Sequence, residues 1–316
     1  MDTQELEKLI AEECVISVPP AIKSLTAELR ARYGDSVDAV LFYGSCLRSG
    51  DHYEGLVDLY VVVNRYRVAY RKTWLSVLNW LLPPNVFYLE TECEGSTVRS
   101  KYAIVSMGDF RRGTSRRWFH SYLWGRFAQP AGIAYLRDDA TGKLIIQSMA
   151  RAIITFVTRV LPHMRESVTT SRLWQDGLQL SYHAELRVEK AGRTTSIYEN
   201  AEEYYERITP IAVKKLPYPV HIFPDEQPVR YQALISRPAR FLNHAGWLVR
   251  KVQGKLLSVL RLLKAFFTFQ GGLDYIAWKL ERHSGEKIDI PERVRRYPLI
   301  FAWGHFWRIY RRGIFR

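Results

Sequence analysis

The stretch from Phe42 to Val63, FYGSCLRSGDHYEGLVDLYVVV, constrains the fold more than any other part of the chain. It contains two β-rich runs, DAVLFYGS (38–45) and LVDLYVVV (56–63), separated by a Gly-rich polar turn. Side chains two apart on a strand share one face. A carboxylate two residues beyond Asp58 would let a single strand hold a metal ion with two hard ligands, but that position is Tyr60. Gly44 permits close backbone approach, the Ser45 hydroxyl suits a phosphate oxygen, and Asp58 supplies one hard oxygen for Mg2+. The same residues also fit a plain tight turn with Asp58 capping or ion-paired.

The surrounding pattern predicts a small α/β sheet. Residues 1–33 read as helical. A helix in AYRKTWLSVLNWLL is stopped by Pro83-Pro84, and NVFYLETE and TVRSKYAIVSM flank a turn at Glu94-Gly95-Ser96 as a hairpin. Residues 115–130 read as helical and aromatic, and Leu144, Ile145, Met149, Ile153, Phe156, Val157 and Val160 recur at helical spacing. The remainder is mainly α, apart from a Pro-rich stretch at 216–228 that reads as a surface excursion.

At 316 residues and 47% hydrophobic, the chain is long enough for two domains. Its formal charge of +14 implies an anionic partner, nucleic acid or an acidic lipid surface. Cys14, Cys46 and Cys93 lack metal-ligand spacing and suit a reducing compartment, and the acidic N-terminal segment reads as a first helix and not as a leader. LLSVLRLLKAFFTF (256–269) is too short to span a bilayer and is interrupted by Arg261 and Lys264, so no crossing is expected.

Further residues carry a resemblance. Lys101, Tyr102, Ser106, Gly125, Arg126 and Pro130 match a Lys-Tyr-Gly-Val-Ile-Ser segment and the Ala-Gly-Arg-Leu-x-Lys-Pro helix end of the mitochondrial-type phosphatidate cytidylyltransferases, the translocator assembly and maintenance protein family. Tyr43, Gly44, Ser45 and Asp58 match that family's Tyr-Gly-Ser and lone aspartate. SYHAELRVEK (181–190) resembles its Tyr-Met-Gly-Asp-Phe-Arg-Met block, with Glu185 at the aspartate and Arg187 in register. The chain departs from the pattern at Cys46, Ala103 and Gln129. The resemblance spans roughly 38–215 in pieces, and makes the missing second carboxylate a family feature, with Glu185 on a distant helix as the second acid.

The resemblance implies an α+β fold: a nucleotidyltransferase-like small mixed sheet with flanking helices over 1–142, a mainly helical, winged-helix-like domain over 143–235, and a basic amphipathic region over 236–316. It implies that CTP and phosphatidate give CDP-diacylglycerol and pyrophosphate with Mg2+, in a bacterial member held peripherally on the cytoplasmic face of the inner membrane. Asp58, Glu185 and Lys101 are the expected catalytic residues, with Asp58 on the metal; Tyr43, Gly44, Ser45, Arg126 and Arg187 are expected to bind nucleotide. Nucleic acid is not the expected partner. Two rivals remain: nucleotidyl transfer to RNA or another polar acceptor, and a non-catalytic lipid-binding scaffold.

Other groups are more ambiguous. Glu90 and Glu92 fit either an added metal ligand or a solvated strand face. Arg111, Arg112, Arg116 and Arg117 fit lipid phosphate, nucleic acid or a solvated turn. The last 66 residues carry fourteen Lys or Arg against five Asp or Glu. There Trp303, Trp307 and Tyr310 recur at helical spacing beside Arg308, Arg311 and Arg312, a pattern that fits either a helix lying in a membrane interface or an aromatic stripe packed on the core.

Overall fold

A computed structural model describes residues 3–14, 17–44, 47, 53, 55–185, 192–268 and 291–296. Ser45, Arg187 and the expected membrane residues Trp303, Trp307, Arg308, Tyr310, Arg311 and Arg312 lie outside the described residues. The fold is mixed α+β, with a five-stranded mixed sheet flanked by helices and followed by a mainly helical region.

The N-terminal helical segment is divided by Pro19 and Pro20 into α1 (Gln4–Cys14) and α2 (Pro20–Tyr33), with Pro20 taking the first helical position, where no N–H is needed. The chain then enters β1 (Val37–Tyr43) and β2 (Leu56–Val63), and α3 (Tyr66–Ala69) and α4 (Thr73–Leu81) follow. Next come β3 (Asn85–Cys93) and β4 (Ser96–Ser106), joined at Glu94 and Gly95, whose φ values of 52° and 75° are those of a tight hairpin turn. The sheet order is β3-β4-β2-β1-β5, where β5 is Gly132–Leu136. β2 and β4 run parallel, and the other pairs are antiparallel.

Period-two alternation sorts these strands onto two cores. Val40, Phe42, Leu59, Val61, Tyr102 and Ile104 face α2 and the α3–α4 segment. Ala39, Leu41, Tyr60, Val62, Ala103 and Val105 face the opposite way, into the larger core. That core is built on α7 (Asp139–Val160), α8 (Thr170–His183) and α10 (Glu202–Val213), with α9 (Arg193–Glu199) beside them. α1 packs on α7 and α10, so the first helix of the chain belongs to the second layer. α7 is apolar and long enough to cross a membrane by length and composition, but 61% of its apolar window is buried in this core.

Residues 115–130 differ from the helix expected there. α5 (Met107–Gly113) ends early, and Thr114 Oγ1 and Ser115 Oγ donate back to the Phe110 and Arg112 carbonyls at its end. Turns follow until the four-residue α6 (Trp124–Phe127). Within those turns Trp118 donates its indole N–H to His120 Nε2 at 2.6 Å, which places the imidazole proton on Nδ1. The 3.3 Å approach of Tyr122 N to Nδ1 is then a contact and not a hydrogen bond.

Burial first, then Arg261 and Arg250, hold the His120 pKa down to about 3. The unfolded chain therefore takes up a proton near pH 6.5 that the folded chain refuses until about 3. Between those values stability is expected to fall as pH falls, by up to about 1.4 kcal/mol per pH unit. His120→Gln is expected to flatten that slope in urea unfolding measured from pH 7 to pH 4. An unchanged slope would place the acid sensitivity elsewhere.

The Pro-rich excursion expected at 216–228 is in part strand. β7 (Val220–Phe223) and β8 (Arg230–Ala233) form a hairpin, and β8 also pairs with β6 (Val168–Thr169) to make a second, three-stranded sheet. Beyond it runs α11 (Arg237–Thr268), 32 residues or about 48 Å of helix. α12 (Glu292–Arg296) is the last described element.

Candidate functional site

Three of the expected site residues, Tyr43, Asp58 and Lys101, share one face where β1 ends and β2 begins beside β4, and Gly44 follows Tyr43. Tyr43 stands opposite Asp58 in the antiparallel pair, and Lys101 stands beside Asp58 in the parallel pair. Lys101 Nζ lies 3.3 Å from Asp58 Oδ1, with side chains 42% and 25% exposed, so the pair opens to solvent. Gly44 continues directly from β1 at φ +89°. A Cβ built there would lie 3.0 Å from Asp58 Oδ2, so the absent side chain leaves the space in front of the carboxylate to a ligand. Gly44→Ala is expected to cost about 1–2 kcal/mol from the left-handed backbone alone. It is also expected to crowd Asp58, which unfolding and nucleotide-binding titrations of the same variant would separate.

Tyr60, two residues along the strand, occupies the place where a second carboxylate would stand. It is fully buried and its hydroxyl meets Arg126 Nη1 at 2.8 Å, the guanidinium donating. Arg126 Nη2 in turn lies 3.6 Å from Glu185 Oε2, in a pair whose side chains are 8% and 12% exposed. Glu185 sits two residues past the end of α8. A chain of contacts thus runs from the strand that carries Asp58, through Tyr60 and Arg126, to the distant acid. Arg126 is held inside this chain and not displayed on the surface.

Three tyrosines ring the guanidinium. Its carbon lies 5.5 Å from the Tyr43 ring centre, 5.9 Å from Tyr60 and 4.4 Å from Tyr122. Burial works against the charge on Arg126, but Tyr43, Tyr60, Tyr122 and Glu185 outweigh it and hold its pKa well above the ordinary value. The Tyr60 pKa is also raised, its phenol kept protonated chiefly by burial, against the opposing pull of Arg126. Tyr122 carries a second guanidinium, that of Arg261, 4.0 Å from its ring centre. Although burial opposes it, Arg126 and Arg261 together draw the Tyr122 phenol below its usual pKa.

Arg261 comes from α11, whose inward stripe is the polar one. Arg250 Nε donates to Phe119 O at 2.6 Å, Arg261 Nε to Pro83 O at 3.2 Å, and Lys264 Nζ to Pro84 O at 2.8 Å and to Leu82 O. Gly254 lets this helix touch the end of α8, since a Cβ there would collide with the Ala184 carbonyl oxygen. α11 therefore braces the turn that bears Glu185. The outward stripe is apolar: Leu248, Val252, Leu256, Val259 and Leu263 are 68%, 71%, 59%, 42% and 57% exposed.

Other residues weighed from the sequence lie away from this point. Glu90 and Glu92 lie on the edge strand β3, two strands or about 10 Å from β2. Glu90 pairs with Arg99 at 3.1 Å and Glu92 accepts from Thr97 at 2.8 Å, the solvated-face arrangement. Gln129 accepts from Tyr182 and donates to the Gly125 carbonyl, so it is tied to the α6–α8 junction. The sequence pattern gave Tyr60, Tyr122 and Arg261 no site role, yet all three lie in this cluster. The signal for Tyr60 was its position two after Asp58. No protein-family model matches the chain, and no curated protein matches it either.

Proposed function

We propose that the chain is a Mg-dependent nucleotidyltransferase that transfers CMP from CTP to phosphatidate at a membrane surface. The observation carrying this reading is the open Asp58–Lys101 pair beside a glycine turn whose missing Cβ leaves room against the carboxylate. Such a place suits a triphosphate: backbone approach at Gly44, a mobile cation in Lys101, and one hard oxygen ligand in Asp58. Among the described residues no three acidic, His or Cys side chains cluster as a self-sufficient metal cage. Mg2+ commonly takes only one or two protein carboxylates and completes its shell with substrate phosphates and water, so a lone Asp58 fits it. When bound there, the ion would neutralise the polyphosphate.

The residues of the chain would then act as follows. Lys101 would turn from Asp58 to the phosphates as the nucleotide enters, while Tyr43 and the Arg126 cluster behind it keep the floor of the site rigid and positively biased. A phosphate-monoester oxygen of the acceptor attacks the α-phosphorus, the bond to the β-phosphate oxygen breaks, and pyrophosphate leaves. Because that oxygen is already ionised, no strong general base is required. The outward apolar stripe of α11, with exposed Trp74 and Trp80 on α4, supports a lipidic acceptor, since such a face suits a bilayer interface.

The test is direct. Purified full-length protein, CTP labelled at the α-phosphate and phosphatidate in mixed micelles are expected to yield CDP-diacylglycerol and pyrophosphate in equal amounts, and chelation of Mg2+ is expected to stop both. Absence of labelled lipid from folded protein at saturating CTP would refute the reading. Labelled RNA formed in its place would move the acceptor to nucleic acid.

A further inference from the structure

A second concentration of charge lies away from the Asp58 turn. α5 carries Arg111 and Arg112, the turn after it carries Arg116 and Arg117, α7 brings Arg151, and Lys215 follows α10. Together they line a cleft of about 910 Å³. Glu7 of α1 is the one acid among the lining residues, and Thr3 donates to it. Arg112 is already held, 2.9 Å from Asp109 and stacked 4.8 Å over Trp118, and Arg151 donates to Gln147 O and Ser148 Oγ. Among the described residues no carboxylate pairs with Arg111, Arg116, Arg117 or Lys215.

The topology separates this cleft from the nucleotide turn. Val63 pairs with Ser106, where β4 ends and α5 begins, whereas Asp58 pairs with Lys101 near the other end of the same two strands. Four residues of strand lie between Lys101 and Ser106, a rise of about 17 Å over five steps. The two sites are therefore independent.

Gathering six cations around one opening is self-repulsive unless an anion enters. Burial, and next the nearby Arg111, lower the Arg151 pKa against the opposing pull of Glu7, which marks how closely the guanidiniums approach. Guanidiniums fork onto phosphate oxygens, and a cleft ringed by several can engage more than one phosphate at once. Ile154 is the one large apolar side chain in its lining, the rest of the apolar surface coming from small residues and from the stems of the cationic side chains. Charge density, and not hydrophobic fit, would select the ligand.

We propose that this cleft is a second anion site that binds a ligand with two or more clustered phosphates, either a soluble polyphosphate or a polyphosphorylated lipid headgroup. The site does not depend on the transfer reaction proposed above. Arg116 and Arg117 are exposed, so the double variant Arg116→Glu/Arg117→Glu is expected to fold, which a circular-dichroism melt checks.

Inorganic tripolyphosphate titrated calorimetrically into the full chain is expected to bind. The double variant is expected to weaken it by about tenfold or more, whereas Lys101→Ala leaves a tripolyphosphate site in place. Vesicles bearing a polyphosphorylated inositol lipid form the second arm: binding to vesicles alone assigns the headgroup, and binding of free tripolyphosphate assigns a soluble ligand. The proposal is overturned if neither probe binds at millimolar concentration, or if the folded double variant binds as the wild type does. It is also overturned if a single-stranded oligonucleotide binds and tripolyphosphate does not displace it.

Discussion

Asp58→Asn is expected to leave the fold in place and to reduce Mg-dependent CTP turnover by about 10²–10³-fold, the usual effect of removing one preorganised electrostatic partner. Asparagine is nearly isosteric with aspartate, and the strand pairing at this position is made by the backbone. The lost ion pair with Lys101 is partly exposed, and such pairs contribute at most about 1 kcal/mol. Stability and activity should therefore separate: unfolding free energy within about 1 kcal/mol of the wild type, turnover nearly gone. Loss of less than about tenfold, or 1.4 kcal/mol in barrier, would remove Asp58 from the metal position. A matched loss of stability would show a structural carboxylate instead. Chelating Mg2+ from the wild type should go further and stop turnover, because it removes the ion itself, whereas the variant only weakens the hold on it.

What the sequence made legible was local. The β3–β4 hairpin could be placed because its turn residues and alternating strands are contiguous, and the two-residue spacing of Asp58 and Tyr60 already placed both on one face. The family resemblance pointed to Glu185 as a distant second acid, but no local pattern showed what it touches. Its partner is Arg126, whose contacts to Tyr60 and Glu185 join positions 66 and 59 residues away in the chain.

Helical periodicity shows which residues of α11 share a face without showing which way that face turns. Arg261 and Lys264 looked like interruptions of an apolar segment, yet with Arg250 they point inward to carbonyl groups while the leucines and valines point out. Short β5 escaped for another reason: GIAYL is too brief and too rich in small residues to declare itself, and it is completed only by pairing with β1. The four clustered arginines were visible as a group. That Arg151 and Lys215 close a cleft around them depends on how α7 and α10 pack, which no local pattern records.

Replacing Arg126 by methionine is expected to cost about 3–5 kcal/mol of folding stability, the range for removing one partner of a buried ion pair. Methionine keeps much of the volume but takes the donor from the Tyr60 hydroxyl and the counter-charge from Glu185, both within the core-facing layer. Arg126→Lys should recover only part, since an ammonium cannot satisfy the phenol and the carboxylate with the same planar fork. The decisive measurement is a double-mutant cycle with Glu185→Gln, read from urea midpoints at unchanged m-value. Because Glu185→Gln removes the charge that Arg126 neutralises, the second substitution should cost much less in the methionine background, with a coupling of about 1–3 kcal/mol. Additive losses would mean that Arg126 stabilises the fold through its tyrosines alone. The chain of contacts from β2 to the end of α8 would then be packing without electrostatic consequence.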